Sequence, residues 1–366
     1  MSLHIDLRTA PRKLHPVGLP AELHPRVSVV VPCYNYERYL RPCVSSALSQ
    51  PGVEVDVIIV DDKSTDGSLD LARDLARDDS RVQVIAHRSN KGPVGTFNDG
   101  LAQAKGEYLV RLDADDLLTP GALGRAVALM AAEPQVGLVY GHPVHFTSQD
   151  APSTAKVQVA SWTIWPGHTW LERRCRLGWN CITSPEVVMR ASVVDQVGGQ
   201  REHLAYAHDM EMWLRISAAS DVAHIEGPDQ AFHRDHDRSL TGSNSKMTDL
   251  IERRRVFDTL FDGLGASLPD GERLHTMACR SLAAEALDEA CRTYDRAHVH
   301  DSPEPYVNFA LAVFPGAASL HGWRRLEARR RVGPGVAPFV PHFFTLAASR
   351  GIRSRIQYRR WQRHGV

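Results

Sequence analysis

Short apolar segments alternate with amphipathic segments along residues 27–140. The first apolar segment, Val27–Val31, precedes Glu37–Gln50, where apolar residues recur every three or four positions, as on the buried face of a helix. The same reading predicts strands at Val55–Val60, Val82–Ala86, Tyr108–Leu112 and Val136–Tyr140, a helix from Asp66, and helices at Val94–Ala104 and Ala122–Ala132. This alternation predicts βαβ units and therefore an α/β fold, Rossmann-like, with a mainly parallel sheet flanked by helices.

The pattern changes beyond residue 145. Residues 145–185 show no clear period and hold four tryptophans, which suit either a sugar-stacking platform or core packing: Trp162, Trp165, Trp170 and Trp179. The chain then predicts a strand at Val187–Met189, a helix at Asp209–Ser217 and a closing pair of strands at Val222–Ile225 and Gln230–His233. We therefore expect an irregular leader at 1–26, an α/β domain at 27–243, and a helical appendage with a basic tail at 244–366.

Composition is that of an ordinary globular chain, with 43% hydrophobic and 23% charged residues. No apolar run approaches the roughly 18 residues of a membrane-spanning helix. Six cysteines without a CxxC pair, and no signal-peptide core, favour a reduced, cytoplasmic compartment. His142, His145 and His168 lack the spacing of tetrahedral metal ligands, so we expect no zinc site.

The formal net charge is zero, but it is unevenly distributed. Residues 324–366 hold eleven arginines and one glutamate, a charge of +10 that leaves −10 on the first 323 residues. Apolar residues interleave with these arginines, as in interfacial helices on anionic lipid: Phe343, Phe344, Ile352, Ile356, Tyr358 and Trp361. A solvated surface or an oligomer contact explains the charge equally well, and no motif indicates a nucleic-acid partner.

Polar residues follow the predicted strands, where parallel sheets bind ligands. Asp113-Ala114-Asp115-Asp116 holds three carboxylates that repel one another unless a cation compensates them, and such hard oxygen ligands select Mg²⁺ or Mn²⁺. The alternative is a solvated acidic turn before the next helix. Asp61-Asp62 suits hydrogen bonds from a base or ribose, or else caps a helix. Asn90-Lys91-Gly92 suits a phosphate at a helix N-terminus, although alone it is more often a plain turn.

The order of these motifs resembles the family 2 glycosyltransferases of GT-A fold, over about residues 27–240. The resemblance rests on the following segments, in chain order: Val29-Val-Val-Pro32-Cys-Tyr34-Asn35, Val60-Asp61-Asp62-Lys-Ser64-Thr-Asp66, Asn90-Lys-Gly92, Gly106-Glu-Tyr-Leu-Val-Arg-Leu-Asp113-Ala-Asp115-Asp116, Val197-Gly-Gly199, Asp209-Met-Glu-Met-Trp213-Leu-Arg215 and Arg234-Asp-His236. It implies a nucleotide-binding half at 27–116 and an acceptor and catalytic-base half at 117–243.

The resemblance also implies a role for individual residues. The nucleotide-sugar pocket would be formed by Pro32, Tyr34, Asn35, Asp62, Lys91, Asp113 and Asp115, with Asp62 near the base and Asp113 near the ribose or sugar. Asp115 would hold a Mn²⁺ or Mg²⁺ ion that bridges the diphosphate, and His236 would reach that metal or the diphosphate. Asp209 would be the catalytic base, held ionised by the helix dipole. A single displacement with this base implies inversion at the anomeric carbon.

Two positions depart from the family pattern. His208 stands where the family has an acidic residue before the base, and Phe97-Asn98 stands where the family often has Arg-Asn, so that a phosphate contact is missing. Glu211 is a rival base, although it lies two residues along the helix and faces away from Asp209.

The sequence therefore predicts a metal-dependent inverting glycosyltransferase in glycan or glycoconjugate biosynthesis. It would move a sugar from a nucleotide diphosphate sugar to a hydroxyl acceptor, and the resemblance favours UDP as the nucleotide. The predicted acceptor is a lipid-linked molecule at the inner face of the membrane, where residues 323–366 would contact lipid. The alternative for these residues is a contact in a homo-oligomer. The alternative is a catalytically silent nucleotide-sugar-binding or scaffold protein. A nucleotidyltransferase would have a glycine-rich, basic first loop. The loop Pro32-Cys33-Tyr34-Asn35 has neither glycine nor a basic residue.

Overall fold

A computed structural model describes most of the 366-residue chain. The described residues are 10–148, 150, 152–204, 206–236, 245–264, 267–295, 302–341, 343, 355, 356, 358–361 and 365. They divide into two compact units. The first lies within Met1–Leu171, Asn180–Ser243 and Gln362–Val366, and the second within Glu172–Trp179 and Asn244–Trp361.

A single mixed sheet forms the centre of the first unit. In the described residues its strands are β1 Arg12–Leu14, β2 Arg26–Cys33, β3 Glu54–Asp61, β4 Val82–Ala86, β5 Tyr108–Arg111, β6 Leu117–Leu118, β7 Val136–Phe146, β8 Ser161–Trp165, β9 Val188–Arg190 and β10 Asp221–Arg234. The order is β1-β8-β10-β7-β9-β5-β2-β3-β4, and β6 pairs with β10. The pairs β5–β2, β2–β3 and β3–β4 are parallel, as is β10–β7.

Helices of the first unit flank this sheet. They are α1 Glu37–Leu48, α2 Ser68–Asp78, α3 Gly92–Leu101, α4 Ala122–Ala132, α6 Ala191–Val197 and α7 His208–Ala219, and all but α6 follow the predicted pattern. Helix α5 Gly167–Leu177 has residues in both units. In β2 every residue after Arg26 is buried, because helices cover both faces of a parallel strand. The predicted α/β fold with a mainly parallel sheet between helices is confirmed.

The structure differs from the sequence-based elements at several places, among them the short strand β6, which was not predicted. Residues 12–14 of the expected irregular leader form β1, which pairs antiparallel with β8. The expected closing pair of strands is one strand, β10, with register shifts against β7 between His224 and Ala231 that interrupt its apolar pattern. Strand β8 and helix α5 lie in the segment where no period was visible.

The tryptophans of that segment serve mainly as core residues. Trp162, Trp165 and Trp170 are each at most 7% exposed. Only Trp179 is half-buried, and the Arg174 guanidinium lies 5.5 Å from its ring centroid. Among these residues, the core alternative therefore explains three of the four tryptophans.

The second unit is helical in its described residues. Its helices are α8 Lys246–Leu264, α9 Gly271–Asp295, α10 Glu304–Val313 and α11 His321–Val332. Helix α11 carries arginines that form ion pairs within this unit. Arg329 is fully buried, with Nε 2.8 Å from the Asp295 carboxylate and its guanidinium 4.3 Å from the Phe343 ring centroid.

The basic tail is only partly an exposed surface. Arg325 pairs with Asp288, and Arg330 lies 3.0 Å from Glu304. Several residues of the expected interfacial pair lie outside the described residues: Phe344, Arg350, Ile352, Arg353 and Arg363. Within the described helices, none is long and apolar enough to cross a membrane. All six cysteines are buried and free.

Candidate functional site

The loop after β2 packs against the loop after β3 at the carboxyl edge of the sheet. Asn35 has a left-handed backbone with φ 61°, and its Oδ1 accepts hydrogen bonds from Thr65 N at 2.7 Å and Asp66 N at 3.4 Å. Pro32 is buried near the end of β2, whereas Tyr34 is 46% exposed. Asn35 therefore shapes the two loops, and Tyr34 presents its ring to solvent.

Asp62 organises the segment before α3. One carboxylate oxygen, Oδ1, accepts the backbone N–H of Lys91 at 2.7 Å and faces His87 Nδ1 at 2.8 Å, while Oδ2 accepts Gly92 N–H at 2.9 Å. Asp62 itself is 3% exposed. Lys91 Nζ lies 2.5 Å from Asp99, and its side chain is half exposed. In the structure Asp62 therefore caps the start of α3, as the helix-capping alternative predicts. It does so at the edge of the sheet where we expected a ligand.

The three carboxylates after β5 have different surroundings. Asp113 is the most exposed, at 36% of its side chain. Asp115 is 7% exposed, and its Oδ2 lies 2.7 Å from His236 Nε2. Burial, reinforced by the negative charge of Asp113, raises the pKa of Asp115. Asp116 is 1% exposed, accepts Arg234 N–H at 2.8 Å, and has its pKa raised by burial to about 7.

Asp115 and His236 fit a divalent cation. They supply one carboxylate oxygen and one imidazole nitrogen in direct contact, and a half-exposed Asp113 stands nearby in the chain. A cation would stabilise the ionised form of Asp115, which burial and then the negative charge of Asp113 disfavour, so that its pKa is raised. Oxygen with nitrogen ligands suits Mn²⁺, and Mg²⁺ accepts one or two carboxylates with water and phosphate oxygens completing its shell.

Asp209 lies in the first turn of α7, as the sequence places it. Its Oδ1 accepts the Met210 N–H at 2.7 Å, and its Oδ2 accepts Asn180 Nδ2–H at 3.2 Å. Burial raises the pKa of Asp209 to about 6, although the Met210 N–H and the Arg111 charge lower it. The expectation that the helix dipole holds Asp209 ionised leaves out desolvation, which is the largest influence on its pKa and raises it. The carboxylate is still mostly ionised above pH 7.

Arg111 connects these groups and was missed in the sequence. This side chain is 4% exposed, with Nε 3.0 Å from Asp113 Oδ1 and Nη1 2.7 Å from His208 Nε2. Its Nη1 also donates to Gln200 Oε1 at 2.9 Å, and its guanidinium lies 5.6 Å from the Phe97 ring centroid. The available signal was an arginine in the otherwise apolar strand β5, two residues before Asp113.

The two departures from the family pattern both contact Arg111. His208 is 4% exposed and therefore does not face solvent, and its Nε2 accepts a hydrogen bond from Arg111 Nη1. Phe97 is 1% exposed and packs under the same guanidinium. A buried arginine is therefore supplied by β5 next to the position where α3 lacks one.

Glu211, the rival base, has a structural role. Its carboxylate is 1% exposed, and Oε1 lies 2.6 Å from Arg215 Nε. Arg215 also donates to the carbonyl oxygens of Val197, Gly198 and Gly199, at 2.5, 2.9 and 2.7 Å. Arg215, about two turns after Asp209 on α7, thus holds the Val197-Gly198-Gly199 turn through its carbonyl oxygens.

Comparison with known proteins shows that this chain is similar to glycosyltransferases. Residues 28–197 match the family model described as Glycosyl transferase family 2. An uncharacterized glycosyltransferase of Haemophilus influenzae is 27% identical over 54% of this chain and 62% of its own length. A Campylobacter jejuni protein named GalNAc(5)-diNAcBac-PP-undecaprenol beta-1,3-glucosyltransferase is 37% identical over 27% of this chain and 32% of its own. The chain thus spans less than two thirds of these relatives.

Solved structures show the same fold. A crystal structure of S. aureus TarS 1-349 in complex with UDP-GlcNAc superposes with a TM-score of 0.59 and 18% identity, covering 85% of this chain and 91% of that one. The mannosyltransferase PcManGT from Pyrobaculum calidifontis, in complex with GDP-Man and Mn²⁺, gives a TM-score of 0.51 and 19% identity, with 89% of each chain covered. At these identities the likeness concerns the fold, and it supports the GT-A architecture.

Proposed function

Because residues 28–197 match the model of glycosyl transferase family 2, we propose that the chain is a metal-dependent, inverting glycosyltransferase. It would transfer a sugar from a nucleotide diphosphate sugar to a hydroxyl acceptor in glycan or glycoconjugate biosynthesis. The observation that carries the proposal is one network of contacts at the carboxyl edge of the sheet. In it, Arg111 joins Asp113 to the helix that begins with His208 and Asp209, and Asp115 pairs with His236.

The donor would lie over the loops after β2 and β3. Pro32, Tyr34, Asn35 and Asp62 would line the nucleotide pocket, with Asp62 near the base. Lys91 would release Asp99 to approach the diphosphate, and Asp113 would approach the ribose or sugar. A UDP-sugar is favoured by the resemblance and by the UDP-GlcNAc held in the TarS structure, whereas PcManGT holds GDP-Man. Thermal-shift titration with UDP and GDP, each with Mn²⁺, would separate these two donors.

Asp115 and His236 would hold the Mn²⁺ or Mg²⁺ ion. When bound, such an ion supplies positive charge to a departing nucleoside diphosphate. The protein residues prepare its place, since Asp115 is buried with only partial compensation from His236. The PcManGT complex with Mn²⁺ supports this choice of ion.

Asp209 would act as the general base. Its carboxylate would accept the proton of the attacking acceptor hydroxyl while the bond from that oxygen to the anomeric carbon forms and the bond to the diphosphate breaks. A pKa of about 6 suits this role, because a base is most effective when its pKa lies near the working pH. One displacement from the face opposite the leaving group inverts the anomeric configuration.

Turnover assays test the proposal. The full chain with a sugar-nucleotide panel and Mn²⁺ should release nucleoside diphosphate, and EDTA should abolish that release. Asp115→Ala and Asp209→Asn should each lower kcat by at least about a hundredfold, whereas Glu211→Gln, the matched carboxylate on the same helix, should retain turnover per folded molecule. Wild-type rates in both active-site variants would overturn the mechanism, and retention of anomeric configuration by NMR would overturn inversion.

The alternative of a silent nucleotide-sugar-binding or scaffold protein has a clear signature. It predicts a thermal shift with a nucleotide diphosphate and no turnover with any donor. Its sequence basis was His208 and Phe97, and the contacts of both with Arg111 give these residues a place in the active-site network. We therefore favour the enzyme.

The acceptor is proposed to be lipid-linked, with the second unit resting on anionic lipid. Apolar side chains in its described residues are solvent-exposed, with Phe339 at 80% and Val336 at 56% exposure, and Arg331, five residues before Val336 in the chain, is exposed as well. The relative from Campylobacter jejuni, whose name includes a PP-undecaprenol acceptor, supports this choice. Phe339→Ser with Val336→Ser should reduce flotation with phosphatidylglycerol vesicles without unfolding the chain. Unchanged flotation would leave a homo-oligomer contact as the role of this surface, which sedimentation would reveal.

A further inference from the structure

A cluster of two histidines and one aspartate lies where the ends of β7 and β10 meet. The two strands are parallel, and their register places His145 directly beside His233. Asp235 follows two residues later on the same face, and its N–H donates to Phe146 O at 2.9 Å, which continues the ladder. Residues from two different strands thus bring three metal-ligating side chains together, a juxtaposition that spacing along the chain does not reveal.

The distances within the cluster match the edges of a tetrahedral site. His145 Nδ1 lies 3.1 and 3.2 Å from the two carboxylate oxygens of Asp235, and His233 Nε2 lies 3.8 Å from the nearer one. One ligand atom from each residue falls within 4.8 Å of the others. Ligands bound about 2.1 Å from a tetrahedral zinc are separated by roughly 3.4 Å. Small side-chain rotations would therefore suffice to place all three around one ion.

His233 is also oriented as a metal ligand should be. Its Nδ1 lies 3.0 Å from Oδ2 of Asp116, a carboxylate that is 1% exposed and that also accepts Arg234 N–H. When Nδ1 donates to that carboxylate, Nε2 carries the lone pair and points toward Asp235. A buried carboxylate behind a ligating imidazole is the usual arrangement at zinc sites, where it fixes the tautomer and raises ligand basicity.

This cluster is separate from the pair proposed to hold the catalytic ion. Along the end of β10, His233 and Asp235 alternate with Arg234 and His236, so the two pairs face opposite sides. Arg234 and His236 contact Asp115, through its carbonyl oxygen and its carboxylate respectively. Neighbouring carboxylates after β5 therefore address different sides of the same strand end.

We propose that His145, His233 and Asp235 form a second divalent-cation site, selective for Zn²⁺ over Mg²⁺, with solvent at the fourth position. Two imidazoles and one carboxylate are a donor set that Zn²⁺ prefers, and Mg²⁺ prefers all-oxygen ligands. His145 and Asp235 are each 49% exposed, so an ion can enter from solvent. The bound ion would tie the end of β7 to the strand end that carries Arg234 and His236.

The test is Zn²⁺ binding to the full chain in excess Mg²⁺, after removal of metals with EDTA and dialysis. Calorimetry should show a Zn²⁺ site in the wild type whose affinity falls at least tenfold in His145→Gln and in Asp235→Asn. His24→Gln, an exposed histidine elsewhere in the same unit, and Asp115→Asn should leave it unchanged. Co²⁺ in place of Zn²⁺ should give the strong visible bands of tetrahedral coordination, lost in His145→Gln.

Each outcome decides the proposal. If the three side chains only bond to one another, the wild type will bind no Zn²⁺ under these conditions, and the proposal is wrong. It is equally wrong if His145→Gln and Asp235→Asn bind Zn²⁺ as the wild type does, or if Asp115→Asn abolishes binding. Circular dichroism of the metal-free variants checks folding, which substitution at two half-exposed positions should preserve.

Discussion

Replacing the proposed base by its neutral isostere should abolish turnover and stabilise the fold. Burial raises the pKa of Asp209 from 3.8 to about 6 in the folded chain. The folded state therefore binds the carboxyl proton more tightly than the unfolded state does. The resulting penalty is absent below the unfolded pKa of 3.8, grows as the pH rises, and is complete above about pH 6.

The size of this effect follows from the pKa values. A carboxyl group whose pKa rises from 3.8 to about 6 costs about 3 kcal/mol of folding free energy when ionised. Part of this is lost to solvent screening, because Asp209 is only half-buried. In Asp209→Asn the NH2 group of the amide replaces the carboxylate oxygen that accepts from Asn180 Nδ2–H. The loss of this hydrogen bond costs about 1 kcal/mol. We expect a net gain of about 1–2 kcal/mol at pH 7.5.

Urea denaturation of both proteins between pH 5 and 8 measures this gain. The difference in unfolding free energy should be largest at pH 7.5 and shrink markedly by pH 5, where the folded wild type has taken up most of its proton. In the same preparations, kcat should fall by about 10² to 10⁴ fold, the usual contribution of a general base. Burial of the proposed base thus lowers the folding stability at the pH where the base is ionised.

Glu211→Gln is the control for this experiment. Its carboxylate is 1% exposed and paired with Arg215, so neutralising it should lower stability and spare turnover per folded molecule. The reasoning would be refuted if Asp209→Asn were less stable than the wild type by the same amount at every pH. It would also be refuted if Asp209→Asn kept turnover within tenfold of the wild type.

Three further predictions rest on other contacts. The pH profile of kcat/KM should fall about tenfold per pH unit below about pH 6, because the base must be ionised and the pKa of Asp209 is about 6; a flat profile down to pH 5 would argue against this base. Arg111→Met should move that acid limb to higher pH and weaken turnover, because the Arg111 charge lowers the pKa of Asp209, while Arg111→Lys should move it less. Arg329→Met should lower the unfolding free energy by about 3–5 kcal/mol, since it removes one partner of the buried Arg329–Asp295 ion pair, whereas Arg331→Met, at an exposed position, should change it by no more than about 0.5 kcal/mol, as measured by urea denaturation.

Local pattern was sufficient for the first half of the fold. Strand β4 and helix α4 have the predicted bounds, and strands β2 and β3 differ from prediction by at most two residues at each end. Such strands are buried on both faces and bounded by turns, so a short apolar run is enough to identify them. The same information missed β8, whose five residues are all buried and show no alternation, and it divided β10 into two strands where register shifts interrupt its pattern.

The candidate site shows the same division. The sequence by itself indicated Asp113 and Asp115, because carboxylates at a strand end carry a local signal, and it indicated Asp209 only through the family resemblance. Only the tertiary structure decided what surrounds them: Arg111 between Asp113 and His208, and His233 beside His145. The physical reason is that ionisation and metal ligation depend on burial and on atoms a few ångströms away, and the fold draws those atoms from strands and helices that are distant in the chain.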